Sequence, residues 1–294
     1  MHFYKPISLE MKTIFITTLF LFLTFQAHSQ TLAGKVVDAN TGEPIAYVNI
    51  GVVGTSIGTI TDINGKFQME VSGLLSQAQV RFTMIGYAAK SFTLEELAKN
   101  ENSIQLKEEP VQLAEVIIRP GSKIKKVGTT SCNTRNVCGW GGTNFGKGHE
   151  LGLKLDLGAV PVRFQKIHFR LSKQSFDTSL FRLHIRSLEN NLPSVELLTE
   201  NIILTVTKKS GWVDFDLSKY NLVFKGEIAL SIEWVNVLGT NKDRLKRMNG
   251  SKEYTPIVLF NTKKNHGSTY IRRGSEDRWK SADDGSPTFY VTVQ

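Results

Sequence analysis

The chain has 294 residues, 40% hydrophobic and 21% charged, with a net charge of +9. That length suits two domains. The basic balance fits an anionic partner such as lipopolysaccharide or an acidic glycan, or simply a well-solvated surface. Beyond the N-terminus no segment is long and apolar enough to span a bilayer as a helix, which needs ~20 residues.

The first element in chain order is a secretion signal. Lys12 supplies a positive start, Ile14 to Phe25 is apolar with interspersed threonines, and Ala27-His28-Ser29 offers small residues at both recognition positions for cleavage before Gln30. The apolar run is too short for a retained anchor, and no cysteine stands at the cleavage point to take a lipid. Export in turn argues against a nucleic-acid partner.

Turns and short strands follow. Thr41-Gly42-Glu43-Pro44 is a turn, because Gly42 permits positive φ and Pro44 fixes its own. Ala46 to Val53 alternates, with Val48 and Ile50 on one face and Tyr47 and Asn49 on the other, as a half-buried strand does. Asn64-Gly65 is a hairpin signal before the strand Phe67–Val71. Leu94 to Asn100 is the one helix candidate, a short surface turn. Met84-Ile85-Gly86-Tyr87 and Leu113-Ala114-Glu115-Val116-Ile117-Ile118 complete the series. The pattern is that of a small β-sandwich.

The order of these motifs resembles the carboxypeptidase-regulatory-like domain. That resemblance implies a transthyretin-like sandwich over residues 30–119 with no catalytic residues of its own, common at the N-terminus of TonB-dependent receptors and in other secreted proteins of the Bacteroidetes. In those receptors a plug and a barrel follow. The stretch after Arg119 is too short for a 22-stranded barrel at ~10 residues per strand plus loops.

Residues 120–148 read as a linker and a Gly-rich loop. Pro120-Gly121 is a breaker and Ser122 to Lys126 has no apolar period. Cys132 and Cys138 are the chain's two cysteines. In an oxidising compartment two close cysteines pair, so a short-loop disulfide is expected. No histidine stands beside them at zinc-ligand spacing.

From residue 149 to residue 294 the pattern is β throughout. Leu151, Leu153, Leu155 and Leu157 alternate; Phe181, Leu183 and Ile185 alternate with Arg182, His184 and Arg186; Ile228, Leu230, Ile232 and Trp234 alternate with Ala229, Ser231 and Glu233. Between Phe164 and Ile167 the apolar phase slips by one, which predicts a β-bulge near Gln165-Lys166. Eight to ten strands in one region imply a second sandwich of jelly-roll type. Ser210 to Asn221, with Phe181 to Ile185 before it and Ala229 to Trp234 after it, looks like a sandwich of secreted Bacteroidetes proteins and is similar to carbohydrate-binding jelly rolls. That likeness implies a fold and fixes no ligand.

Chemical motifs are weak. Gly141 to Gly148 nearly matches a phosphate-binding loop, but Gly148 stands where a hydroxyl should reach magnesium. Asp62-Ile63-Asn64-Gly65 opens like a calcium loop and lacks the closing glutamate. His149-Glu150 opens like a zinc-protease motif, but Leu153 replaces the second histidine. His168 and His184 fall on polar-facing strand positions and read as surface side chains. Asp214 and Asp216 flank Phe215 and read as solvated, and Asp283-Asp284-Gly285 as a turn. No metal, cofactor or catalytic residue is expected.

Tryptophans give the best clue to a ligand. Trp140 in the Gly-rich loop and Trp279 in a charged loop are candidates for exposed platforms on which sugar rings stack. Trp212 and Trp234 adjoin alternating strands and read as core. The basic loop Asn241 to Arg247 could meet an acidic glycan or a lipid head group, or be solvated. The expectation is an all-β chain of two sandwiches, exported to the periplasm, outer membrane or exterior. It would be a non-catalytic binding or scaffold protein whose partner is a glycan or an envelope protein. The alternatives are a hydrolase with an unrecognised carboxylate site in the second sandwich and an accessory component of an outer-membrane assembly.

Overall fold

The computed structural model describes residues 30–99, 103–109, 123–141, 147–240, 257–264, 267, 269–282 and 285–294. The signal segment, Leu113 to Ile118, most of the near phosphate-loop motif, the basic loop and Asp283-Asp284 lie outside the described residues. Among the described residues the protein is almost entirely β, in two stacked-sheet units. None of their helices is long and apolar enough to cross a membrane.

In the first unit, β1 (Thr31–Asp38) pairs antiparallel with β4 (Lys66–Glu70) and parallel with β7 (Ser103–Leu106). The facing sheet holds β2 (Asn49–Val52), β3 (Gly58–Ile60), β5 (Gln79–Thr83) and β6 (Lys90–Thr93) in the order β3-β2-β5-β6. Val36, Val48, Ile50, Phe67, Val80 and Phe82 fill the space between them, for the strands alternate as the sequence does. Gly42 takes φ 72° in its turn. The helix α1 (Leu94–Lys99) begins on a capping box: the Thr93 amide donates to Glu96 Oε2 at 2.7 Å, and the Glu96 amide donates to Thr93 Oγ1 at 3.1 Å.

One turn differs from its reading. Asn64-Gly65 is a tight turn with Gly65 at φ 72°, but β3 pairs with β2 and β4 with β1, so the chain crosses between sheets there instead of closing a hairpin. The Asp62 carboxylate is spent inside this turn, accepting from the Asn64 and Lys66 amides at 2.8 and 2.9 Å, a local Asx arrangement rather than the start of a cation loop.

The second unit is larger. One sheet contains β10 (His149–Asp156), β12 (Phe176–Glu189), β13 (Leu192–Glu196), β14 (Ile203–Val206), β17 (Glu227–Thr240), β19 (Thr269–Arg273) and β20 (Lys280–Ala282). Its order is β13-β12-β17-β10-β19-β20, with β14 also on β12. The opposing sheet contains β8 (Lys125–Gly128), β9 (Asn133–Gly141), β11 (Val162–Gln174), β15 (Gly211–Asp216), β16 (Val223–Phe224), β18 (Ile257–Lys264), β21 (Gly285–Pro287) and β22 (Phe289–Val293). Phe164, Phe169, Phe181, Trp234, Phe260 and Phe289 form a continuous aromatic core between the two. The bulge falls where the apolar phase slips: Phe164 faces Val293 and Lys166 faces Thr292, so Gln165 is the extra residue.

Residues 120–148 are less of a linker than their composition suggests. β8 pairs with β22 and β9 with β18, so both belong to the second sandwich. Gly139 makes this possible, because a Cβ there would lie 2.1 Å from the Val258 carbonyl oxygen. β9 carries Trp140 inward to 6% exposure, stacked on Trp234 at 5.7 Å and edge-on to Phe260 at 5.5 Å. The exposed platform expected of Trp140 is therefore not formed. The expected disulfide is not formed either: Cys132 and Cys138 are both thiols. Cys138 faces Phe260 in the ladder between β9 and β18.

Candidate functional site

The outer face of the β10-containing sheet is the chemically unusual surface. By alternation it should meet water. Instead the first sandwich lies across it, and Glu150, Arg182, His184, Arg186, Ser231 and Glu233 are all buried. Two residues of the first unit show how closely the parts meet. Tyr47 adopts φ 65°, a rare conformation for a bulky side chain, and its carbonyl accepts a hydrogen bond from Arg182 Nη2. At Gly51 a Cβ would stand 2.8 Å from Glu276 Cγ and from Ser275 Oγ. The Gly54 amide donates to the Glu276 carbonyl at 3.0 Å, and Ile60 packs with Leu180 and Val235.

Adjacent strands assemble the buried charges. Glu150 faces Glu233 across β10 and β17, and Arg182 faces Glu233 across β12 and β17. The two like charges coexist because guanidinium groups stand among them. Arg186 holds Glu150 through both terminal nitrogens, at 2.6 and 3.2 Å, and also reaches Ser231 Oγ at 3.1 Å. Arg272 grips Glu150 Oε1 through Nε at 2.8 Å and through Nη2. Arg182 bonds Glu233 Oε2 at 3.0 Å and Asn201 Oδ1 at 2.8 Å. Forked, two-point pairing of this kind is why arginine rather than lysine suits these positions.

His184 links the pairs. Its Nδ1 lies 2.6 Å from Glu196 Oε2 and its Nε2 lies 2.9 Å from Glu233 Oε2. With a carboxylate at each nitrogen the ring is the doubly protonated form. Arg186 Nη2 lies 2.8 Å from Nδ1 and 3.2 Å from Glu196 Oε2, and the carboxylate is then its acceptor. Burial and Arg186 oppose the charge on His184, but Glu150 and Glu196 outweigh them and raise its pKa above 6.5. Burial likewise opposes ionisation of Glu150, Glu233 and Glu196. The neighbouring Arg186, Arg272, Arg182 and His184 charges win, and all three pKa values fall below 4.5.

A pH dependence follows from these signs. The lowered carboxylates stabilise the folded state above their ordinary 4.5, and that contribution is lost as pH falls through their folded pKa values. The raised imidazole stabilises it below 6.5, and that contribution is lost as pH climbs through the folded value. Melting temperature measured against pH should therefore peak between the two, and His184→Gln should flatten the alkaline limb and also weaken the acid limb, because the imidazolium helps to lower the carboxylates.

The ligand atoms of Glu150, His184 and Glu233 lie within 4.8 Å of one another, a spacing a metal could use. The same carboxylates already accept from Arg182, Arg186 and Arg272, so the protein's own guanidinium groups supply the positive charge there. Reading His184 as a surface side chain missed this cluster. Its signal lay in the polar phase of the strands: Arg182, His184 and Arg186 in one, Glu150 and Glu233 in others, charges of complementary sign at period two.

Beside the network, at the seam, is a cavity of about 230 Å³. Asn49, Arg81, Met84, Ile85 and Tyr87 reach it from the first sandwich, and Glu196, Arg272, Ser275 and Glu276 from the second. Burial raises the Glu276 pKa against the pull of Arg81, 3.7 Å away, and Arg272. Tyr87 donates to Asp38 at 3.2 Å; burial and that carboxylate push its pKa up to about 12. Trp279 stays half-buried at the rim, its ring covered by Arg272 at 4.8 Å and Arg186 at 5.5 Å. Trp140 and Trp279 thus do not share a platform. The other readings place their residues apart from this site: Asp214 and Asp216 are exposed, and His168 stacks on Tyr290 at 4.3 Å on the opposite sheet.

Comparison with known proteins bears on the first sandwich. Residues 32–118 match the CarboxypepD_reg-like domain family. This part of the chain is a CarboxypepD_reg-like domain. Over 107 residues the chain is 33% identical to the TonB-dependent receptor SusC of Bacteroides thetaiotaomicron, a match covering 36% of this chain and 10% of the receptor. The chain thus spans about a tenth of the length of this curated relative. Among solved structures, the cysteine protease and lectin-like domains of Cwp84 from Clostridium difficile align at 10% identity with a TM-score of 0.37, covering 85% of this chain and 58% of that one. A structure of infectious bursal disease virus aligns at 8% identity and a TM-score of 0.25, covering 90% and 62%. Both scores are too low to argue from. The CarboxypepD_reg-like domain is the unit whose strands β2 and β5 and whose Tyr47 carbonyl close over the charge network.

Proposed function

We propose that the chain is an exported, non-catalytic binding or scaffold protein of the cell envelope, directed to carbohydrate, in which the CarboxypepD_reg-like domain caps the second sandwich. The observation that carries this reading is the seam itself. The domain does not hang from a linker; it covers a sheet whose buried charges are ion-paired beneath it and leaves a polar cavity at the edge. Support for an envelope setting comes from the domain family and from the receptor that shares it. An accessory role in an outer-membrane assembly belongs to the same reading. The test is a glycan array, together with capture from a cross-linked membrane fraction, using the chain from Gln30 onward. Saturable glycan binding, or recovery of a defined envelope component, is expected; a blank in both assays overturns the proposal.

One observation favours a hydrolase instead. Glu196 and Glu276 line the same cavity with pKa values moved in opposite directions, as an acid and a base require. Turnover of glycosides that disappears in Glu276→Gln would establish that reading, and no turnover across a glycoside and peptide panel would remove it.

A further inference from the structure

The seam cavity has a chemical bias that narrows what it can hold, and the inference drawn from it rests on the binding-protein reading. Asn49 is 4% exposed, and its Oδ1 has no hydrogen-bond donor among the described residues. A buried amide oxygen left in that state needs a partner that brings a proton. The guanidinium groups at the seam do not serve it: Arg182, Arg186 and Arg272 are engaged with Glu233, Glu150 and the Tyr47 and Ser275 carbonyls. Charge at the seam is of both signs, with Arg81, Arg182, His184, Arg186 and Arg272 set among Glu150, Glu196, Glu233 and Glu276. A ligand carrying a full charge of either sign would meet an opposing like charge. Met84 and Ile85 give the cavity an apolar side. Its volume of about 230 Å³ is below the ~300–1,000 Å³ of drug-sized sites.

We propose that this cavity binds a neutral, hydroxyl-rich ring the size of one sugar residue, with one hydroxyl donating to Asn49 Oδ1. Other hydroxyls meet the Glu196 and Glu276 carboxyl groups and the Arg81 guanidinium, and the C–H face of the ring lies against Met84 and Ile85. The recognised unit is a free monosaccharide or the exposed end of a glycan; both present the same chemistry.

Titration calorimetry on the chain from Gln30 onward tests this, with neutral hexoses, pentoses and N-acetylhexosamines, and with oligosaccharides ending in the sugar that binds. A uronic acid and inorganic phosphate serve as charged controls. Saturable binding of a neutral sugar is expected, weakened at least tenfold in Asn49→Leu and unchanged in Trp212→Ala on the far sheet. Equal affinity for free sugar and oligosaccharide points to a chain end as the recognised form, and binding of the free sugar alone points to a monosaccharide; either supports the site. Where Asn49→Leu fails to fold, a crystal of the unsubstituted protein soaked in the sugar decides, and a sugar hydroxyl on Oδ1 is expected. Ordered water alone on Oδ1 at saturating sugar, preference for phosphate or the uronic acid, or undiminished binding in Asn49→Leu overturns the proposal. Glycan or membrane capture that persists undiminished in Asn49→Leu would remove the cavity as the site while leaving the binding-protein reading intact. Loss of all capture by the unsubstituted chain would remove that reading itself.

Discussion

Glu150→Ala is expected to cost about 3–5 kcal/mol of stability, because it strands Arg186 and Arg272 as buried charges without their carboxylate. Glu150 is fully buried and also accepts from Ser231 Oγ at 2.9 Å. Three groups therefore lose a partner at once. Urea unfolding near pH 6 measures the effect. Glu150→Gln keeps the shape and should still destabilise, since an amide cannot take both forked guanidinium groups. The double variant Glu150→Ala with Arg186→Ala should be less unstable than the two single losses added together, because removing both partners leaves fewer uncompensated charges. Simple additivity would mean that the network is not a coupled unit. Substitution of the exposed Asp214 provides the contrast, and surface changes of that kind stay within about 0.5 kcal/mol.

The second large effect is expected at Trp140. Trp140→Ala opens a void against Trp234, Phe181 and Phe260, whose ring centres lie 5.5–6.0 Å away, and should cost about 3–5 kcal/mol. Below its lowered melting temperature the variant should bind any glycan as the unsubstituted chain does, because the indole faces the core. Trp279→Ala behaves differently. It removes a ring from beneath Arg186 and Arg272, contacts worth on the order of 0.5–2 kcal/mol. The two variants compared by thermal melting and calorimetry separate packing from recognition; loss of glycan binding in Trp140→Ala with stability intact would contradict the placement of its side chain.

Much of this architecture was legible in the residues. Period-two alternation marked the strands of both sandwiches, Gly42 marked its turn, and the slipped phase between Phe164 and Ile167 marked the bulge at Gln165. These signals are local, set by pleat and backbone geometry within a few residues. The hidden part was long-range. Alternation shows that Arg182, His184, Arg186 and Glu233 point away from the hydrophobic core; it is silent on whether water or another domain waits on that side. Trp140 misled for a related reason. Glycine-rich composition reads as loop, but Gly139 serves close strand pairing with β18 and so buries its neighbour. Asn64-Gly65 makes the turn its dipeptide predicts but not the hairpin, since the dipeptide fixes the backbone bend and not the sheet in which each arm finds a partner.

A seam made of salt rather than oil has a consequence for how the molecule survives accidents. Were the cap to lift, the newly wetted sheet would present arginine, glutamate and histidine instead of a sticky aliphatic patch. Apart from the small cluster around Ile60, Leu180 and Val235 and the contact of Ile85 with the larger core, little among the described residues there invites clumping. Partial opening should therefore be forgiving and reversible.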